Sequence, residues 1–129
     1  MILAIDPGRE KCGLAVMDTS AQLLEKKIAG RFEMQGEVPR LMQKYRIETI
    51  VIGSGTASKG VHKDLLKMEL NAHLVFIPEK NSTLEARKRY WKENEPQGLL
   101  RFIPRALLTP PHPVDDYAAL ILGERYLKG

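Results

Sequence analysis

The chain opens on Ile2-Leu3-Ala4-Ile5, an apolar run too short for a helix and halted by the turn signal Asp6-Pro7-Gly8; it predicts a buried strand. Gly13-Leu14-Ala15-Val16-Met17 predicts a second strand. After the turn Asp18-Thr19-Ser20, residues 22–29 predict a third, so the opening reads as an antiparallel meander. From about Met34 to Tyr45 the apolar positions Val38, Leu41, Met42 and Tyr45 recur at helical spacing, with Pro39 near the helix start. Thr49-Ile50-Val51-Ile52 is a β-branched run closed by Gly53-Ser54-Gly55 and predicts a buried strand. Residues 61–70 predict a helix through Leu65, Leu66, Met68 and Leu70, and Leu74-Val75-Phe76-Ile77, closed by Pro78, predicts a fifth strand. Ser82-Thr83-Leu84-Glu85 has capping-box spacing and predicts a helix to about Asn94. Five prolines between Pro96 and Pro113 predict a loop, with a short turn near residues 106–108. Residues 114–127 predict a last helix with Ala118, Leu120, Ile121 and Leu122 on its inner side.

Three meander strands followed by alternating strands and helices define an α/β class: a mixed five-stranded sheet, the meander plus two parallel strands, with helices packed on it. The length of 129 residues suits one domain, residues 1–129, with a core that needs no disulfide. A lone Cys12 excludes an internal disulfide and a zinc spacing, and fits a reducing, cytoplasmic setting. No apolar stretch approaches a membrane span, and the apolar start lacks the basic region of a signal peptide, so neither membrane nor export is expected.

Charge alters the picture in one region. The net charge is only +4, which permits a polyanionic partner without demanding one. Between residues 87 and 105, however, Arg87, Lys88, Arg89, Lys92, Arg101 and Arg105 face only Glu93 and Glu95, with Tyr90 and Trp91 among them. Such a stretch can follow a phosphate backbone and stack on bases; equally, it can be a solvated helix face with two core aromatics.

Three acids stand at element ends that this topology brings to one edge. Asp6 ends the first strand, Glu79 follows the fifth, and Asp115 begins the last helix. Three carboxylates within a few ångströms repel, by about 4 kcal/mol per pair at an effective dielectric of 20, unless a proton or a cation intervenes. Oxygen-only ligands suit Mg²⁺ or Mn²⁺ rather than zinc. The spacing leaves the alternative open that each acid does a local job: Asp6 in a turn, Glu79 exposed, Asp115 at a helix N-terminus.

The same residues carry a family resemblance. Ile5-Asp6-Pro7-Gly8 followed by Gly13-Leu14-Ala15-Val16 resembles the opening motif of the resolvase-like branch of the ribonuclease H-like superfamily, which holds the RuvC Holliday-junction resolvases and the YqgF (RuvX-type) proteins. Asp115-Asp116-Tyr117-Ala118-Ala119-Leu120 resembles its last motif, with Asp115 the better match. RuvC-type enzymes carry a Glu at the end of the fourth strand, where this chain has Gly53-Ser54. YqgF-type proteins place an acid after the fifth strand, and Pro78-Glu79-Lys80-Asn81-Ser82-Thr83-Leu84-Glu85-Ala86 is similar to that segment, so the YqgF type fits better. Departures are Glu10-Lys11-Cys12 in place of the usual first-loop Arg, and Pro78 before Glu79.

The resemblance implies a ribonuclease H-like fold and a nuclease in which Asp6, Glu79 and Asp115 hold Mg²⁺ or Mn²⁺ and water attacks a phosphodiester. It implies branched DNA or structured RNA as substrate, with Arg87, Lys88, Arg89, Arg101 and Arg105 on phosphates. His112, three residues before Asp115, stands where resolvases place another acid or a His, and is either a proton carrier or an exposed loop residue. A symmetric junction cut implies a homodimer. Two other classes compete: a binding module that kept the fold and lost the chemistry, and a nucleotide-binding ATPase of the actin and hexokinase class, disfavoured because those proteins close two such domains around ATP.

Overall fold

A computed structural model of the chain describes residues 1–104 and 110–129. Its strands are β1 (Ile2–Asp6), β2 (Lys11–Met17), β3 (Leu23–Gly30), β4 (Thr49–Gly53) and β5 (His73–Ile77). Its helices are α1 (Met34–Lys44), α2 (Ser58–Lys67), α3 (Ser82–Glu93) and α4 (Asp115–Lys128), with short 3₁₀ turns at Arg31–Glu33 and Gly98–Phe102. The sheet order is β3-β2-β1-β4-β5. β1 to β3 pair antiparallel, while β4 and β5 run parallel to β1, as the meander followed by strand–helix alternation predicts.

Alternation along each strand divides the core into two layers. Leu3, Ile5, Leu14, Val16, Ile50 and Ile52 face α1 and α2, meeting Val38, Leu41, Val61 and Leu65. Ile2, Ala4, Ala15, Met17 and Val51 face the other way and meet Ala86, Ala118, Ala119 and Leu120 of α3 and α4. Because side chains alternate with period two, Asp6 continues the row of Ile2 and Ala4, and Gly13 continues the row of Ala15 and Met17. The acid at the end of β1 therefore belongs to the face that α4 covers.

Several local expectations shift. The helix expected over 61–70 begins three residues earlier, at Ser58, whose hydroxyl donates to the Gly55 carbonyl at 2.7 Å. The capping-box pattern at Ser82 is not used. Asn81 takes the preceding position in the left-handed region (φ 63°), Ser82 is buried in the first turn, and Glu85 pairs with Arg125 at 3.0 Å. Part of the proline-rich segment coils into the Gly98–Phe102 turn. The turn expected near 106–108 lies outside the described residues.

Candidate functional site

The carboxyl ends of β1, β4 and β5 lie together at one edge, and so do the start of β2 and the end of β3. Asp6 is the last residue of β1 and pairs across the sheet with Gly13. A Cβ at Gly13 would run into the Asp115 carbonyl, so only glycine lets the first turn of α4 settle onto β2. Glu79 extends from the end of β5 back over β4, where side chains at Gly53 and Gly55 would collide with its carboxylate. Glycines at the end of β4 thus make room for an acid supplied by β5.

The site is electrostatically loaded. Burial first, then the charges of Glu79 and Asp115, push the Asp6 carboxyl up to about 7. Burial also raises Glu79, partly offset by its hydrogen bond with Asp6. Below about pH 7 the proton on Asp6 donates to the Glu79 carboxylate; once it is lost, two neighbouring acids face each other in a partly dry site. Glu79 Oε1 and Asp115 Oδ2 are buried with no hydrogen-bond partner. The nearest relief for Asp115 is the Lys11 ammonium, 3.5 Å from Oδ2.

The donors fit a hard divalent cation: three carboxylates, two of them with an orphaned buried oxygen. The arrangement is not closed, however, and among the described residues no three His, Cys, Asp or Glu side chains stand as a ready metal-holding group.

Adjacent aspartates in α4 part company. Asp116 pairs with Lys26 of β3 at 2.7 Å, and the same ammonium lies 4.2 Å from the centre of the Tyr117 ring, so Asp116 ties the helix to the sheet while Asp115 faces the site. His112 is exposed in a trough that also holds Lys11, Arg87 and Asp115. Arg89 pairs with Glu124 at 2.6 Å, joining α3 to α4, and the exposed Lys88 lines the hollow between these helices. Arg101 lies 4.9 Å from the Phe102 ring, and Arg105 lies outside the described residues. Trp91 is buried, and Tyr90 packs edge-on between it and Tyr117, so these two rings belong to the core and do not offer a face to bases.

Two site residues escape sequence reasoning. Lys11 reaches Asp115 only because β2 and α4 meet, although its place in the first loop, where the resemblance has an Arg, was a signal. Arg125, near the far end of α4, donates to the carbonyls of Pro78 (3.1 Å) and Lys80 (2.7 Å), on either side of Glu79. No local pattern announces it.

A mixed five-stranded sheet with an acid ending its first strand and another opening its last helix is the architecture of the ribonuclease H-like class. The Thermus thermophilus RuvC structure superposes on it with a TM-score of 0.51 at 13% identity, over 99% of this chain and 96% of that one. A candidate sugar kinase from Cytophaga hutchinsonii ATCC 33406 aligns with a TM-score of 0.46 at 12% identity over 70% of this chain, which spans 39% of that protein. The model of the Tex protein YqgF-like domain matches residues 1–86, and the chain belongs to that family. The matched span holds Asp6 and Glu79, and ends before His112 and Asp115. No curated protein matches the chain. Among the described residues no helix is long and apolar enough to cross a membrane.

Proposed function

We propose that the chain is a divalent-cation-dependent endonuclease that hydrolyses phosphodiester bonds in structured nucleic acid, a four-way DNA junction or a precursor ribosomal RNA. The observation that carries this reading is that Asp6 feels the charges of Glu79 and Asp115, from distant parts of the sequence, while Glu79 Oε1 and Asp115 Oδ2 are buried with no hydrogen-bond partner. Family membership and the RuvC-like fold support it.

Asp6, Glu79 and Asp115 would hold Mg²⁺ or Mn²⁺, which when bound lowers the pKa of water and offsets charge on the phosphodiester. In hydrolysis a water oxygen bonds to phosphorus, one ester P–O bond breaks, and the departing oxygen takes a proton. The exposed imidazole of His112, in the trough with Asp115, is suited to carry that proton. Lys11 neutralises Asp115 before the substrate arrives and can turn to a phosphate oxygen. Arg87, with Lys88 and Arg101 further out, meets the backbone, giving salt-dependent and largely sequence-independent binding. Symmetric cutting of a junction would take two copies of the chain.

The test is cleavage of a four-way junction beside a precursor rRNA fragment, with Mg²⁺ and with EDTA, for the wild type and Asp6→Asn. The expected result is cation-dependent cleavage of one substrate, reduced more than about a hundredfold by Asp6→Asn. Cleavage that survives Asp6→Asn overturns the site. The unclosed carboxylates and the Lys11–Asp115 pair favour a second reading, a binding module without chemistry. Binding without cleavage of either substrate would select it.

A further inference from the structure

We propose that the hollow formed by Arg9, Arg31, Phe32 and Gln35 seats an unpaired nucleobase of the nucleic acid that crosses the carboxylate edge. This rests on the nucleic-acid part of the reading above, and not on catalysis. Phe32 is 94% exposed, more than any other large apolar side chain among the described residues. A lone surface Phe needs no explanation in itself. What sets this one apart is how firmly its support is fixed and what surrounds it.

The Arg31–Glu33 turn that carries the ring is tied down on three sides. The Gly30 N–H donates to Glu33 Oε1 at 3.1 Å, the Arg31 N–H donates to the Glu10 carbonyl at 2.8 Å, and the Arg31 side chain pairs with Asp64 of α2 at 3.0 Å. A Cβ at Gly60 would collide with the Arg31 guanidinium, so glycine lets that group lie against α2. Met34, two residues on, is buried. The ring thus stands in solvent on a backbone with little freedom left, and stacking it would order few further degrees of freedom.

The surroundings select the occupant. Arg31 neutralises Asp64, the one acid lining the hollow, while Arg9 makes no ion pair among the described residues. The hollow therefore presents an aromatic face, the donor and acceptor of the Gln35 amide, and an uncommitted guanidinium. A base supplies the ring to stack and the edge for the amide, and its flanking phosphate supplies the charge for Arg9.

Its position agrees. Gly30 pairs with Lys11, which puts the turn at the same sheet edge as Asp6, and Arg9 lies in the loop that follows Asp6. The trough with Arg87, His112 and Asp115 opens on the α3–α4 side and this hollow on the α2 side, and the pairing of Lys11 with Gly30 joins the two along the edge where β1 ends in Asp6.

The test is fluorescence anisotropy in EDTA, which separates binding from cleavage. The probes are a labelled single strand and a fully paired duplex of equal length, each as DNA and as RNA, at one salt concentration. Phe32→Ala is expected to weaken single-strand binding by roughly 5- to 100-fold and duplex binding by less than about twofold, and Phe32→Trp to restore it. The DNA and RNA arms show which strand supplies the base. An unchanged or equal loss on both probes overturns the proposal, as does a dimer that becomes monomeric with Phe32→Ala while nucleic-acid binding is kept, which would make the ring a protein contact. A wild type that binds single strands through Phe32 but cuts nothing sinks the nuclease reading and leaves this one standing. Cleavage by the wild type with no effect of Phe32→Ala on binding does the reverse.

Discussion

The two faces of the sheet are built from the same strands by the same alternation, yet they end differently at the carboxyl edge. On the face toward α1 and α2 the rows run Leu3-Ile5, Val16-Leu14-Cys12 and Ile50-Ile52, apolar and buried to the last residue. On the face toward α3 and α4 the rows run Ile2-Ala4-Asp6, Met17-Ala15-Gly13 and Val51-Gly53, smaller toward the edge and finishing in an acid or a glycine. Shrinking side chains let α4 approach β2 until its first turn meets Gly13, and the space over Gly53 and Gly55 is filled by Glu79. One face holds the molecule together. The other gives up apolar packing at its end so that carboxylates can meet.

Paired substitutions separate the two roles most sharply. Leu14→Ala, on the α1–α2 face, is expected to destabilise the fold by about 2–5 kcal/mol while leaving cleavage per folded molecule intact. Its neighbour Gly13→Ala should cost about 1–3 kcal/mol by pushing α4 away, and should also lower cleavage, because Asp115 moves with the helix. Urea unfolding together with cleavage of a common substrate would distinguish them. If both variants cut like the wild type, the close approach at Gly13 has no part in the site.

A pH series probes the loaded edge alone. Asp6 titrates at about 7 in the folded chain against an ordinary 3.8, so the folded state holds a proton that the unfolded state has released over that range. Its contribution to stability is therefore greatest below about pH 4 and is lost as the pH rises to 7, by up to about 4 kcal/mol. Asp6→Asn should remove this slope and raise the thermal midpoint at pH 8 but not at pH 4. Mg²⁺ or Mn²⁺ should raise the wild-type midpoint at pH 8, and Asp6→Asn should weaken that response.

The smallest expected effect acts through the backbone around Glu79. Arg125→Ala frees the two carbonyls beside Glu79, and should cost about 1 kcal/mol in stability and roughly tenfold in Mn²⁺ affinity, measured by calorimetry. Arg125→Lys should not rescue the affinity, because a single ammonium cannot present two donors in a fork.

Element order, strand direction and the partition of faces were legible in the sequence, because period two and period 3.6 are local signals. The position of Asp6 was legible for the same reason: it breaks an apolar row. Glu79 and Asp115 could be assigned to the edge from topology and resemblance, whereas their environment could not, since it depends on Gly53, Gly55 and Lys11 arriving from other elements. Ser82 misled as a cap because Asn81 accepted the left-handed position and Glu85 found Arg125 across the gap to α4. The basic stretch was half legible. Its charges alternate with core aromatics at helical spacing, so Arg87 reaches the trough, Arg89 turns to Glu124, and Trp91 goes inward.

Helix α4 begins with Asp115 and, ten residues later, presents Arg125 to the backbone around Glu79. At 1.5 Å per residue those two attachment points are about 15 Å apart along one rod. The helix thereby works as a caliper: one jaw is an acid, the other grips the loop bearing a second acid, and a slide or roll of the rod resets both together. A single residue inserted between the jaws would twist one against the other by about 100° while leaving each sequence motif untouched.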